Sequence, residues 1–178
     1  MSDIKIYDNF LDKFTFAEMQ KSCQDELNWK YDDCVSNRFE KTQESKIKYD
    51  WQMVHMFYNH PFHISDQFNI VNPIVQKINP IVMYRAKLNL NPSTEKIIEH
   101  GYHQDYQPEE YGKIFTSAVY YLNNNNGYTR FRDGTKVESV ENRLVTFPTT
   151  MYHTGSSCTD SKNRLVLNLV YVQGDPIA

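Results

Sequence analysis

The sequence predicts a mainly β domain of the α+β class, in which N-terminal helices pack against one sheet of an antiparallel sandwich. Two observations lead to this prediction. Residues 1–80 contain two segments with the periodicity of amphipathic helices. Over residues 81–172, short alternating segments are separated by turns rich in Gly, Pro and Asn, at the spacing of a sandwich or barrel. With 178 residues, 40% of them hydrophobic, we expect one domain over residues 1–178, with residues 1–80 as a supporting region.

The first helix is predicted over residues 15–29, TFAEMQKSCQDELNW. Thr15 would cap its N-terminus, because Glu18 follows three positions later as a capping-box partner. Apolar residues at helical spacing would then share the face that packs on the sheet. These residues are Phe16, Met19, Cys23 and Leu27.

A strand and a second helix are predicted before residue 80. The segment 51–59, WQMVHMFYN, is rich in aromatic and β-branched residues, which favours a strand. The helix would begin near Ser65, with Pro73 either as a local defect or as a second start. Its apolar face would hold Phe68, Val71, Val75 and Ile78.

The strand that contains IVMYRAKLNL has one apolar and one polar face. The polar face either meets a substrate or is simply solvated. It consists of Arg85, Lys87 and Asn89. Further along, NNNNG at 123–127 is predicted to be a turn in which Gly127 supplies a positive φ.

The last strand, NRLVLNLVYV, alternates leucines with other residues. If the leucines face the helices, Arg164 and Asn168 face the interior of the sandwich. A buried Arg164 needs a partner, because an unpaired buried charge costs several kcal/mol, and no obvious carboxylate matches it in the sequence. A ligand carboxylate would fit the guanidinium fork, at about 1.5–3 kcal/mol per charged hydrogen bond. Asn168 could bind the same ligand or a substrate, or it could be an ordinary hydrogen-bonded core residue.

The stretch EHGYHQDYQ, residues 99–107, carries a possible metal-binding pattern. His103 and Asp105 are two positions apart, so on a strand they would point to the same face, as two ligands of a facial triad. His153, in MYHTGSS, is either the third ligand or a surface histidine at a strand end. His100 lies three positions before His103, so strand parity predicts that it faces solvent. The other histidines have no acid at ligand spacing and are expected to be structural or exposed: His55, His60 and His63.

Taken in order, His103-x-Asp105, His153 and Arg164 resemble the pattern of the 2-oxoglutarate- and Fe(II)-dependent dioxygenases, in particular the prolyl 4-hydroxylase-like group. The segments SAVYYLN, NGYTRF, NRLVTFPTTMYHTGSS and RLVLNLVYV resemble that group's strands around the same residues. The resemblance covers residues 81–172, about half of the chain. It implies a double-stranded β-helix, or jelly roll, with residues 81–172 as the catalytic core. Many members of the group carry Lys where this chain has Arg164.

The resemblance also implies cofactors and site residues. His103, Asp105 and His153 would bind Fe(II), while Arg164 and Tyr121 would bind the distal carboxylate of 2-oxoglutarate, and O₂ would complete the set. Tyr120, beside Tyr121, would point the other way. The segment YQPEEYGK, residues 106–113, is interpreted as a lid over the substrate or merely a loop.

The activity expected from this resemblance is hydroxylation of an unactivated C–H bond, coupled to decarboxylation of 2-oxoglutarate to succinate. The substrate would be a peptidyl residue of prolyl type or a small amino-acid-like molecule. Two alternatives remain open. One is a non-catalytic jelly-roll protein that binds metal as a sensor, and the other is a cupin-type metal enzyme that does not use 2-oxoglutarate.

Composition argues against several other classes of protein. The net charge is −3 without a basic stripe, so nucleic acid is not an expected partner. No apolar run is long enough to span a membrane, and the N-terminus lacks the layout of a signal peptide. Cys23, Cys34 and Cys158 form no CxxC pair, which favours a reducing, cytoplasmic setting.

Overall fold

Two facing antiparallel sheets form the framework of the protein in a computed structural model that describes residues 3–35, 50–105 and 114–174. The large sheet contains β1 (Lys5–Tyr7), β2 (Lys30–Asp32), β3 (Gln52–Asn59), β4 (Phe62–His63), β5 (Val82–Pro92), β6 (Phe115–Tyr121), β9 (Arg143–Pro148) and β11 (Asn163–Val172). The small sheet contains β7 (Tyr128–Phe131), β8 (Lys136–Glu138) and β10 (His153–Gly155). The strand order is β1-β9-β6-β11-β5-β3-β2 in the large sheet, with β4 beside β3, and β10-β7-β8 in the small sheet.

The first helix, α1, spans Lys13–Asp25 and begins two residues before the predicted start. The predicted cap, Thr15, is wrong, because the cap is Asp12, whose carboxylate accepts hydrogen bonds from the backbone N–H groups of Phe14 and Thr15 at 3.1 and 3.0 Å. The apolar face is as predicted. Phe16, Met19 and Cys23 are buried, and Leu27 is also buried although it lies beyond the helix end.

The second helical region is divided in two. A 3-10 turn over Phe68–Val71 leads into α2, Asn72–Ile78, so Pro73 lies in the first turn of a new helix rather than at a defect. Because α2 begins anew at Asn72, its buried residues differ from those expected for one continuous helix. Val71 and Ile78 are buried as predicted, but Ile74 takes the place in the core that was expected for Val75.

The main apolar core lies between the helices and the outer face of the large sheet. The side chains of β11 alternate between the two faces of the sheet, as predicted. Leu165, Leu167 and Leu169 face this core, while Arg164 faces the small sheet. A smaller apolar cluster joins the two sheets at one end of the sandwich. Its buried members are Val119, Tyr121, Phe131, Val137, Val145, Phe147 and Val166. The predicted α+β architecture, mainly β with N-terminal helices on one sheet, is confirmed.

None of the helices in the described part of the chain is long and apolar enough to cross a membrane. The segment before α1 is anchored on the large sheet through Asn142, which has a positive φ of 59°. The Asn142 amide oxygen accepts hydrogen bonds from the Leu11 N–H at 2.8 Å and from the Tyr120 hydroxyl at 2.7 Å. Its amide nitrogen donates to the Leu11 carbonyl at 2.8 Å. All of these groups are buried, so one side chain satisfies three polar groups that water cannot reach.

Substitution Asn142→Ala is therefore expected to lower the free energy of unfolding by about 3 kcal/mol, because three buried groups lose their partners. Tyr120→Phe is the matched control, since it removes only one of the three hydrogen bonds and should cost about 1 kcal/mol. Denaturant unfolding followed by circular dichroism measures both values. Equal losses in the two variants would contradict the assigned role of Asn142.

Candidate metal centre and pocket

A cavity of about 450 Å³ lies between the two sheets and borders the inter-sheet apolar cluster, whose members Val119 and Val166 contribute to its lining. Its walls are mostly polar and come from β3, β5, β11 and the small sheet, together with the segment that follows β5. Five of the six predicted site residues line it: His103, Asp105, His153, Arg164 and Asn168. The structure thus brings together side chains that are up to 65 positions apart in the chain.

The side chains of His103, Asp105 and His153 converge, with one ligand atom from each lying within 4.8 Å of the others. Backbone hydrogen bonds of 2.9 and 3.0 Å between His103 and His153 hold the segment after β5 against β10. The two imidazole centroids are 4.5 Å apart, and Asp105 Oδ2 is 3.6 Å from His153 Nε2. These distances suit three ligands that share one ion.

Each imidazole is oriented by a carbonyl two residues earlier in the chain. His103 Nδ1 lies 3.2 Å from the carbonyl oxygen of Gly101, and His153 Nδ1 lies 3.1 Å from that of Met151. A carbonyl oxygen can only accept, so both Nδ1 atoms carry the proton and both Nε2 lone pairs are available to a metal. Burial and the neighbouring His153 lower the pKa of His103 to about 4, which keeps its imidazole neutral near pH 7.

The Asp105 carboxylate is held from two strands of the large sheet. Arg85 on β5 donates to Oδ1 at 2.6 Å, and Ser117 on β6 donates to Oδ2 at 2.6 Å. Burial by itself raises the pKa of Asp105, but electrostatic interactions with His153 and Arg85 outweigh it and hold that pKa below its usual range. Asp105 is therefore an ionised, pre-oriented ligand. The sequence pattern alone did not reveal Ser117 as its partner.

Arg164 is 3% exposed and faces the same cavity from β11. Its Nε donates to Ser139 Oγ at 2.9 Å and its Nη2 to Thr129 Oγ1 at 3.1 Å. Within the described ranges, no carboxylate lies within salt-bridge distance of it. The guanidinium keeps its charge inside the protein without a protein counter-ion, which is unfavourable unless a ligand supplies one.

Gly155 leaves space beside this guanidinium. It lies two residues after His153 on β10, so the two residues share a face about 7 Å apart. A Cβ atom at Gly155 would come within 3.3 Å of Arg164 Nη1. The space between the triad and Arg164 is thus kept clear by the absence of a side chain.

Tyr121 and Asn168 occupy different positions relative to the cavity. The Tyr121 hydroxyl donates to Thr129 Oγ1 at 2.8 Å, and its ring lies 5.5 Å from the Arg164 guanidinium carbon. Tyr121 belongs to the inter-sheet apolar cluster and does not line the cavity itself, but it contacts the lining residues Thr129 and Arg164. Asn168 lines the cavity directly. The ligand-binding roles expected for both residues remain predictions.

The prediction for His100 is wrong. Its side chain is 5% exposed rather than solvent-facing, and it lines the cavity together with His103. Strand parity does not apply here because this segment forms only isolated bridges, one from Glu99 to Ser156 and one from His103 to His153. Burial and the nearby Arg164 lower the pKa of His100 to about 3, so the ring is neutral. Neither ring nitrogen has a hydrogen-bond partner among the described residues.

Gly127 is needed for a different reason from the one expected. Positive φ values in the described part of the chain occur at Asn9, Asn79, Asn142 and Gly134, not at Gly127. A Cβ atom at Gly127 would lie 2.7 Å from Arg164 Cδ and 2.8 Å from the Ser157 carbonyl oxygen. Gly127 therefore permits close packing against the stem of Arg164.

The other histidines lie outside the cavity. His55 is buried and structural, with Nδ1 2.9 Å from the Asn28 carbonyl and Nε2 2.9 Å from Ser65 Oγ. His60 and His63 are exposed, as expected. The proposed lid at 106–113 lies outside the described residues.

Several buried polar atoms around the cavity have no hydrogen-bond partner within the described ranges, in addition to the His100 nitrogens. They are Gln52 Oε1, Arg85 Nε, Asn89 Oδ1 and Asn91 Nδ2. Buried polar groups are rarely left unsatisfied in folded proteins, so their concentration in one place indicates a binding site for a polar ligand. The polar face predicted for β5 is thus part of the cavity wall rather than a solvated surface.

No family model matches the chain, and no curated protein matches it in sequence. Solved structures do match it. A prolyl-4-hydroxylase from Pseudomonas putida is 18% identical with a TM-score of 0.56, over 98% of this chain and 95% of that one. A prolyl hydroxylase from Trichoplax adhaerens, in complex with a hypoxia inducible factor oxygen degradation domain peptide fragment, is 14% identical with a TM-score of 0.61, over 97% and 84%.

An oxidoreductase of the 2OG-Fe(II) oxygenase family from Burkholderia pseudomallei is 10% identical with a TM-score of 0.63, over 97% of this chain and 86% of that one. At these identities the similarity establishes the fold. The chain has the jelly-roll fold of the 2OG-Fe(II) oxygenases, a group of structures that includes prolyl hydroxylases. The predicted double-stranded β-helix is confirmed.

Substitution His153→Ala is expected to weaken Fe(II) or Mn(II) binding at least about 100-fold, because one of the three converging ligands is lost. Anaerobic isothermal titration calorimetry measures this loss. His63→Ala is the matched control, because His63 is exposed and lies away from the triad. Undiminished metal affinity in His153→Ala would exclude this residue as a ligand.

Proposed function

We propose that this chain is an Fe(II)- and 2-oxoglutarate-dependent dioxygenase that hydroxylates an unactivated C–H bond, coupled to decarboxylation of 2-oxoglutarate to succinate and CO₂. One observation carries the proposal. Two imidazole Nε2 atoms and an ionised carboxylate converge in a cavity that also contains an arginine with no counter-ion among the described residues. The similarity to solved oxygenases supports it through the fold.

The donor set fits a ferrous ion, because two histidines and one carboxylate are the ligands that non-haem iron oxygenases use, with open positions on the opposite side. When bound, the iron supplies the activation of O₂. The protein supplies orientation. Carbonyl oxygens fix the His103 and His153 tautomers, while Arg85 and Ser117 fix the Asp105 carboxylate.

Arg164 would bind the distal carboxylate of 2-oxoglutarate. Its Nε and Nη2 already donate hydrogen bonds to Ser139 and Thr129. These hydrogen bonds orient the guanidinium group before the ligand binds. Tyr121 would assist through its hydrogen bond to Thr129 and through its ring beside the cation. Asn168 would donate to or accept from the co-substrate or the substrate, since its amide lines the same cavity.

The substrate is proposed to be a peptidyl residue of prolyl type or a small amino-acid-like molecule. The Trichoplax adhaerens structure was solved with a peptide fragment, which supports a peptide as one possibility for this fold. We further propose that residues 1–178 act as one domain, with residues 81–172 as its catalytic core. No disulfide joins the three cysteines, all of which lie in the described ranges, and this supports a reducing, cytoplasmic setting.

The proposal is tested by anaerobic reconstitution with Fe(II) and 2-oxoglutarate. A weak visible charge-transfer band is expected, followed by succinate release when O₂ is admitted. A protein that binds iron but gives neither the band nor succinate would be a metal-binding or sensor protein instead. A protein that turns over without 2-oxoglutarate would be a cupin-type metal enzyme.

Substitution Arg164→Met is expected to raise the dissociation constant for 2-oxoglutarate about 100-fold while iron remains bound, because two charge-assisted hydrogen bonds worth about 3 kcal/mol are lost. Titration of the charge-transfer band measures the constant. Arg132→Met is the matched control, since Arg132 is exposed. Unchanged affinity in Arg164→Met would refute the assignment of this residue.

A further inference from the structure

The wall of the cavity formed by β5 carries a row of polar side chains that the metal centre and the co-substrate anchor do not account for. Counting along the strand from the metal centre, the row is Arg85, Lys87, Asn89 and Asn91. Arg85 is engaged by Asp105. Asn89 Oδ1 and the adjacent Gln52 Oε1 are buried acceptors without a donor among the described residues. The apolar aliphatic side chains in the described lining are three valines: Val35, Val119 and Val166.

Lys87 is the cation in this row without a close counter-ion. It lies opposite Asn168 on β11 and two positions after Arg85 on the same face, so it is next to the metal centre. Within the described residues, its ammonium makes no ion pair or hydrogen bond. Burial and the neighbouring Arg85 lower the pKa of Lys87, although the more distant carboxylates of Asp32 and Asp105 oppose this shift. The Asp32 carboxylate itself accepts from Gln52 Nε2 and Cys34 N at 3.2 and 3.1 Å.

The charges around the cavity do not balance. With both imidazoles bound to the metal, the described walls contain three cations, Arg85, Lys87 and Arg164. Two carboxylates oppose them: Asp105 in the wall, and Asp32 behind it, bonded to Gln52 and Cys34. The two positive charges of a ferrous ion and the two negative charges of 2-oxoglutarate cancel each other. A surplus of one positive charge among the described residues would therefore remain in the loaded cavity. Charges removed from water without compensation are strongly unfavourable, so the site as described favours a further anion.

We propose that the substrate is a small carboxylic acid bearing N–H or O–H donors, and that Lys87 binds its carboxylate beside the metal centre. Gln52 Oε1 and Asn89 Oδ1 would accept the substrate's donors, which explains why both are left without partners. The inference rests on the proposed function and chooses between the two substrate classes given there. A neutral prolyl residue within a longer peptide would leave the Lys87 charge uncompensated.

Matched acid and amide probes test this inference. The probes are the free L-amino acids and their primary amides, and a proline peptide with an acetylated N-terminus and an amidated C-terminus is the competitor. Calorimetry on protein loaded with Mn(II) and 2-oxoglutarate measures binding without turnover. At least one free acid is expected to bind about tenfold or more tightly than its amide, and the same acid should stimulate succinate release by the Fe(II) enzyme.

Variants at residue 87 test whether the Lys87 side chain causes the preference for the acid over the amide. Lys87→Met keeps the length of the side chain but removes the charge, and it is expected to abolish the preference for acid over amide. Lys87→Arg should retain most of the preference because the charge remains. Lys136→Met, at an exposed lysine of β8, is the matched control. Any loss of 2-oxoglutarate affinity in Lys87→Met should be smaller than the loss for the acid by about tenfold.

Several results would overturn the inference. These are equal binding of acids and amides, preferential binding of the capped proline peptide, and failure of every acid in the panel to bind. A Lys87→Met variant that loses 2-oxoglutarate as strongly as the acid would assign Lys87 to the co-substrate. The proposed function fails separately, through the absence of succinate from wild-type Fe(II) protein, whereas the acid and amide comparison is decided by calorimetry alone.

Discussion

A single buried carboxylate connects the elements on which the site depends. Asp105 accepts one hydrogen bond from Arg85 on β5 and one from Ser117 on β6, and it lies 3.6 Å from His153 on the opposite sheet. A carboxylate removed from water needs this many partners to remain ionised. Asp105 thereby links β5 and β6 of the large sheet to β10 of the small sheet. It also orients the segment after β5, which has little regular secondary structure of its own.

The large sheet separates stability from chemistry by using its two faces differently. Its outer face and the helices bury twenty-one described residues in one apolar core, whereas the inter-sheet cluster has seven. Most of the hydrophobic stabilisation therefore comes from outside the sandwich. The inner face is then free to carry arginine, lysine and amide side chains that an ordinary sandwich core would exclude. Along β5 and β11, side chains that face the outer apolar core therefore alternate with side chains that face the cavity.

Much of the fold could be read from local pattern, because alternation along a strand and apolar spacing along a helix depend on near neighbours. The strand parity that turns Arg164 inward is an example. His100 could not be read in this way, because its position depends on isolated bridges to distant residues. The cap at Asp12 was missed because a capping-box pattern at Thr15 competed with it. The role of Gly127 could not be predicted from local pattern either, since it depends on the aliphatic part of Arg164, 37 positions later in the chain.

The position of the final strand has a consequence for how the chain is made. β11 follows all the other described strands along the chain but lies in the middle of the large sheet, between β5 and β6. Until it has left the ribosome, β5 with β3 and β6 with β9 are two half-sheets, each with an unpaired edge. A nascent chain in that state presents exposed backbone to its neighbours and is vulnerable to aggregation. It also lacks Arg164, so the pocket that would hold an organic acid is completed only after β11 has been synthesised.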